Sequence, residues 1–268
     1  MTTGYLHGYS DEERARLRVQ ARVLSPWVHR NLPYVDCRNL LEVGCGTGAQ
    51  LELLLDAYPL MRVTGVDRAA DQLDAARRNL ADALHATRTT LVHGAAEQLP
   101  FADGAFDAGF LCWILEHVAD PAPVVRELHR VLAPGSPVVI SEVMNATLFL
   151  EPASPRVMRY WAAFNELQLA LHGDPYVGAK LGHHLHHAGF RSIETTPRDV
   201  IFDDRDAAAR AAFCGYCKDL LLSAAPSLLA ADRIVQSDID AMTEELDALG
   251  RGPGSIFFYA FVQARCLR

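Results

Sequence analysis

The 268 residues are enough for one α/β domain of ordinary size with insertions, or a domain with a small cap. Half of them are hydrophobic and 22% charged, a globular composition, and no apolar run is long enough to span a bilayer. The net charge of −8, with basic residues scattered singly apart from Arg14, Arg16, Arg18 and Arg22, argues against nucleic acid as a partner.

Met1 to Gln20 lacks a basic-then-apolar pattern, so no signal peptide is predicted and a soluble cytoplasmic protein is expected. Ser10-Asp11-Glu12-Glu13 has the form of a capping box and opens a helix to about Asn31. Its arginine run is read as a solvated face. Apolar runs then alternate with helical patterns. Strands are expected at Leu40–Val43, Arg62–Val66, Thr89–His93, Phe106–Leu111 and Pro137–Val143. Helices are expected at Ala49–Ala57, Ala70–Leu84 and Val124–Leu132. This rhythm implies a parallel sheet covered on both faces. After Met144 the pattern changes. Helices are expected over Pro152–His172 and Tyr176–Ala188, then a strand over Ser192–Phe202. Asp206–Leu249 reads as mostly helical with a break near Pro226, and Ser255–Cys266 as a final strand pairing the previous one.

The six cysteines show no disulfide framework, and Cys214 and Cys217 at helical spacing read as small apolar residues. Reduced thiols fit all six. Gly182-His183-His184-Leu185-His186-His187 would place His183 and His187 on one helix face. No nearby acid or cysteine completes a ligand set, so no metal is expected.

The main chemical signal is Leu41-Glu42-Val43-Gly44-Cys45-Gly46-Thr47-Gly48-Ala49, a strand entering a glycine loop and then a helix. Glycines suit a ligand lying against the turn. The loop also matches a dinucleotide fingerprint, with Asp67 placed as the ribose acid, so an NAD-dependent oxidoreductase is the rival reading. Glu42 separates the two, because an acid at the strand end suits a cationic ligand without phosphate. Downstream come Glu97-Gln98-Leu99-Pro100-Phe101, Glu116-His117, and Arg130-Val131-Leu132-Ala133-Pro134-Gly135.

This ordered series resembles the ubiquinone/menaquinone-type branch, type 11, of class I S-adenosylmethionine-dependent methyltransferases, over roughly residues 35–145. The resemblance implies a Rossmann-like α/β fold: a seven-stranded, mostly parallel sheet with helices on both faces and a helical cap. It implies S-adenosylmethionine as cofactor and S-adenosylhomocysteine as product. Gly44, Cys45, Gly46 and Gly48 would let the methionine part approach the backbone, and Glu42 would contact its amino-acid end. Asp67 would take the ribose hydroxyls, Arg68 would flank the adenine, and Ala96 and Glu97 would lie at its edge. Leu111, Cys112 and Trp113 would pass under the methionyl group, and Tyr9 and Gln20 would close as a lid. Two departures stand out. Ala95 replaces the aspartate that binds adenine in many members, and Ser136 replaces a turn glycine.

Residues 1–34 are expected to form the lid and 35–268 the methyltransferase domain, with substrate-cap insertions at about 146–176 and 206–250. His117 and Glu142 are the candidate catalytic residues, and Tyr160, Trp161, Asn165 and Tyr176 the candidate acceptor wall. The expected reaction is methyl transfer to an O, N or C atom of a small molecule, in specialised metabolism, by an enzyme that is free of membrane and nucleic acid and is a candidate homodimer. A quinone C-methyltransferase, a cyclase on the same fold and a binding module are the alternatives.

Overall fold

The structure is a computed structural model that describes residues 6–8 and 10–268. Tyr9, the first lid candidate, lies outside the described residues.

Helix α1 (Asp11–Val28) begins where Ser10 Oγ accepts from the Glu13 backbone N–H at 3.2 Å. The Glu13 carboxylate turns to Arg16, taking its guanidinium at 2.6 and 2.7 Å. Arg16 is thus buried, not on a solvated face; only its neighbours behave as surface arginines, Arg14 pairing with Asp11, and Arg18 and Arg22 with Glu52.

Strands β1 (Asn39–Val43), β2 (Arg62–Asp67), β3 (Thr89–His93), β4 (Ala108–Cys112) and β5 (Pro137–Glu142) pair in parallel in the order β3-β2-β1-β4-β5. Helices α2 (Ala49–Ala57), α3 (Ala70–Asn79), the short α4 (Ala83–Ala86) and α5 (Pro121–Val131) connect them. The sheet then turns antiparallel. Strand β6 (Phe149–Glu151) is short, and β7 (Arg191–Phe202) and β8 (Ile256–Leu267) are long. β8 pairs with β5 through its last residues, with β6 through Ile256–Phe258, and with β7 along its length. The sheet therefore has eight strands where seven were expected, the extra one being β6.

Period-two alternation sends residues to opposite layers. Leu41 and Val43 join the core under α5 and α7 (Leu181–His187). Leu40 joins the opposite core, which contains residues of α1, α2, α6 (Pro155–Ala170), α8 (Ala207–Ser223), α9 (Ala225–Ala230) and α10 (Gln236–Arg251). Of the helix expected over 176–188, only Leu181–His187 forms α7; Val177–Lys180 is a 3-10 turn. Strand β7 carries mostly exposed polar residues and Pro197, as suits an edge strand.

Candidate active site

Strand order reverses between β1 and β4, the place where open α/β sheets leave a crevice at their carboxyl ends. A cavity of about 280 Å³ lies there. Its sheet end is bordered by Glu42 near the end of β1 and Gly44, Cys45 and Gly46 after it, by Asp67 ending β2 and Arg68 after it, and by Ala96 and Glu97 after β3. Cys112 ending β4, Trp113 after it, and Gln20 of α1 also border the cavity. The sequence pattern therefore brings one set of expected residues to one place.

The loop is held by its backbone. Gly44 N and Cys45 N both donate to Val66 O, at 2.8 and 3.0 Å. Asp67 Oδ2 accepts from Gly46 N at 2.9 Å and Oδ1 from Ala69 N at 2.8 Å. A carboxylate has about four lone-pair sites, so each oxygen keeps capacity for a ligand hydroxyl. Gly46 has φ +49, and a Cβ built on it meets no atom within 4 Å, so the loop leaves open space beside the cavity. Gly48 plays a different part. It caps α2 with φ +74 and packs against Leu80, and it is not among the described residues that border the cavity.

Glu42 carries the strongest chemical signal. It is 1% exposed, borders the cavity, and its Oε2 has no hydrogen-bond partner among the described residues. Burial, and then the nearby Asp67 carboxylate, push its pKa well up. Such an acid lacks a cation or donor. This is the chemistry that the amino-acid end of S-adenosylmethionine provides.

The far end of the cavity is apolar and aromatic. Helix α6 presents Val157, Trp161 and Phe164, spaced as one helical face. Helix α8 presents Phe213, Tyr216, Cys217, Leu220 and Leu221, again one face, and β8 adds Phe257, Tyr259 and Phe261. Trp161 stacks on Phe164 with centroids 5.5 Å apart and planes within 6°, and its Nε1 donates to Asn145 O at 2.9 Å.

Several expected site residues stand elsewhere. Glu142 is fully buried and accepts from the backbone N–H of Ile114, Leu115 and Glu116 at 3.0, 2.7 and 3.3 Å. It holds the turn after β4 and is not a cavity-facing base. Burial and Glu116 push its pKa up against the pull of those donors. Tyr160 is buried with its hydroxyl donating to Leu221 O at 2.8 Å. Asn165 accepts from Asn145 Nδ2 at 2.7 Å, and Tyr176 leads the 3-10 turn before α7. Leu111 packs in the core below α5. None of these five is among the described residues that border the cavity.

His117 does border it, with Nε2 3.6 Å from Glu116 Oε1. Glu116 borders it too, its Oε2 accepting from Gln168 Nε2 at 2.7 Å. Glu116, read in the sequence only as part of a motif, Arg16, read as solvated, and Cys217, read as a small apolar residue, thus border the cavity, as do His7 and Tyr216, for which no site role was expected. Gln20 Oε1 accepts from Arg16 at 2.5 Å, which ties the two on α1. The α7 histidines remain apart from this site. The His183 and His187 rings lie 4.3 Å apart, and no group of three or more His, Cys, Asp or Glu among the described residues could hold a metal. No described helix is long and apolar enough to cross a membrane.

This crevice and fold define a small-molecule-binding α/β enzyme domain. Residues 41–140 match the methyltransferase domain family. An O-methyltransferase of Aspergillus nomiae is 30% identical over 196 residues, 72% of this chain and 83% of that protein. An uncharacterized 37.1 kDa protein of a Streptomyces fradiae transposon is 32% identical over 169 residues, 63% of this chain and 48% of that one, so the match spans about half that relative. The geranyl diphosphate C-methyltransferase of Streptomyces coelicolor A3(2), solved with S-adenosyl-L-homocysteine, shares the fold over 93% of this chain and 80% of its own, with a TM-score of 0.53 and 17% identity. The chain belongs to the class I S-adenosylmethionine-dependent methyltransferase family.

Proposed function

We propose that the protein methylates an oxygen atom of an apolar, ring-bearing small molecule in specialised metabolism. The observation that carries this reading is the continuity of one cavity. It runs from Glu42, Gly46 and Asp67 at the sheet to Trp161, Phe164, Phe213 and Tyr216 under the helices. The name of the Aspergillus nomiae O-methyltransferase supports oxygen as the acceptor atom.

The cofactor supplies an activated methyl carbon. The protein's part is to align the acceptor and exclude water. Glu42 holds the amino-acid end, Asp67 the ribose hydroxyls, and Ala96 and Glu97 the adenine edge. Trp113 and Cys112 border the middle of the cavity, and Gln20 closes it from α1. Helices α6, α8 and α10 form the acceptor roof, with Trp161 as the wall residue on the α6 face. The enzyme works in the cytoplasm without nucleic acid. Light scattering after size exclusion decides between a homodimer and a monomer.

The test is a screen of aromatic and polyketide-like hydroxyl compounds with mass detection. A mass gain of one methyl and equimolar S-adenosylhomocysteine are expected. A product of unchanged mass, formed without S-adenosylhomocysteine, would replace this reading with a cyclase.

Two variants test the halves of the cavity. Asp67→Asn keeps a shape and one carbonyl acceptor but loses the charge. A charge-assisted hydrogen bond is worth roughly 1.5–3 kcal/mol, so S-adenosylhomocysteine affinity should fall about tenfold or more. Unchanged calorimetric affinity would remove Asp67 from the site. Trp161→Ala should raise the acceptor KM while leaving S-adenosylhomocysteine affinity within a few-fold. Because Trp161 also stacks on Phe164 and bonds Asn145, it should cost roughly 3 kcal/mol of stability as well. Normal acceptor kinetics in the folded variant would make Trp161 a packing residue only.

A further inference from the structure

The aromatic end of the cavity has few polar side chains, and the protein spends several of them on itself. Trp161 Nε1 donates to Asn145 O at 2.9 Å. Asn145 gives its Nδ2 to Asn165 Oδ1 at 2.7 Å, and its Oδ1 accepts from the Tyr259 hydroxyl at 3.0 Å. A phenol has one proton to donate, and Tyr259 has placed its own.

Tyr216 of α8 differs. It borders the cavity, is 8% exposed, and packs its ring 5.3 Å from that of Phe213. Its hydroxyl forms no hydrogen bond with any of the described residues. The groups close enough to act on that hydroxyl through their charge are Cys217, Arg16, Cys112 and Glu116, and all four border the cavity. Three of them lie on other elements, on α1, at the end of β4 and in the turn after it, so the hydroxyl is on the cavity side of α8.

Burial holds the phenol pKa well up, so the group keeps its proton and acts as a donor. A flat ring that fills the chamber excludes water from it. An O–H so enclosed needs an acceptor atom on that ring, or it is orphaned at a cost that opposes binding. A neutral carbonyl suits the place better than a carboxylate. Glu116 is near, and the Arg16 guanidinium is paired with Glu13.

We propose that Tyr216 is an acceptor-specificity residue, whose O–H donates to a carbonyl oxygen of the bound acceptor, and that the acceptor is therefore an aryl ketone. This deepens the reading of the aromatic end as the acceptor chamber, on which it rests.

The test reads that end alone. Fluorenone and fluorene are flat three-ring molecules of one outline, with and without a carbonyl. Each is offered by equilibrium dialysis to the protein saturated with S-adenosylhomocysteine. The ratio of their two affinities is compared between proteins, which cancels their difference in water solubility. Tyr216→Phe should lower the fluorenone-to-fluorene ratio about tenfold and leave S-adenosylhomocysteine affinity within about threefold of wild type. Fluorene itself should bind the variant at least as well as wild type, because the orphaned O–H is gone. The infrared carbonyl stretch of bound fluorenone should lie lower in wild type than in the variant. The midpoint in denaturant should not fall, since no described residue loses a hydrogen bond. A ratio that changes less than about threefold, or a carbonyl stretch that the substitution leaves in place, overturns the proposal. A large loss of stability also overturns it, because the hydroxyl would then have its partner in the protein. If neither compound binds the saturated wild-type protein, the acceptor-chamber reading falls and this one with it.

Discussion

Glu42→Gln is expected to weaken S-adenosylhomocysteine binding by roughly 10- to 100-fold and to leave 5′-methylthioadenosine binding unchanged. The second ligand lacks the amino-acid end, so the pair isolates the contact. A buried carboxylate oxygen with no protein partner is costly, and a ligand ammonium or its hydration removes that cost on binding. The pH dependence follows from the same acid. Its pKa in the free protein is raised well above 4.5 by burial and by Asp67. A bound cation lowers it, so affinity is full above the free-protein pKa and falls as pH drops through it. In Glu42→Gln that slope should vanish. Calorimetry showing affinity that rises on acidification, or equal losses for both ligands, would contradict this placement.

Glu142→Leu should cost at least about 3 kcal/mol of stability, read as a lower midpoint in denaturant. Two effects compete. Removing a buried carboxyl recovers its desolvation penalty. Against that, three backbone N–H groups lose their acceptor, those of Ile114, Leu115 and Glu116, the last two on buried residues. At about 1–3 kcal/mol for each orphaned donor, the second effect wins. The same bonds hold Trp113, which has φ +54, an unusual conformation for a bulky residue. Trp113 borders the cavity and sets its ring at 5.9 Å from Phe261. Turnover should therefore fall with stability. Glu142→Gln retains a carbonyl acceptor and should lose less. A Leu variant within 1 kcal/mol of wild type would show that the turn holds itself.

The sheet half of the site was legible because it is local. A strand, a glycine loop and a helix follow one another from Leu41 to Ala57, and Asp67 ends the next strand in register with them. The Leu99-Pro100-Phe101 motif is legible for another reason. Its backbone is clamped by Glu127 and Arg130 of α5, with Leu99 N bonded to Glu127 and both carbonyls, of Leu99 and Phe101, to Arg130. The motif thus shapes its own loop, and none of its three residues is among the described residues that border the cavity. The roof was less legible. Helix α6 buries residues on more than one face, so periodicity marks Tyr160 and Asn165 as readily as Trp161 and Phe164. Only packing against α8 and β8 decides which face meets the cavity. Helix α8 has the same ambiguity, which hid Tyr216 and Cys217. Glu142 looked catalytic because it ends β5 beside the crevice. Its three backbone partners come from a turn whose shape no spacing in the sequence displays.

The path of β8 has a consequence for how the protein is made. Its partners β5 and β7 are separated from it by the helices of the roof, and β5 by most of the chain's second half. The ribosome therefore exposes the β1–β5 unit, with Glu42, Gly46 and Asp67 in place, well before β8 can join it. Such long-range pairing is slow because loop closure precedes the contacts that reward it. During that interval the apolar edge of β5 is an unpaired template for other chains. Co-translational capture of cofactor by the early unit would shield the nascent crevice during this wait. The aromatic end of the cavity, bordered by both α8 and β8, can only form after β8 joins the sheet.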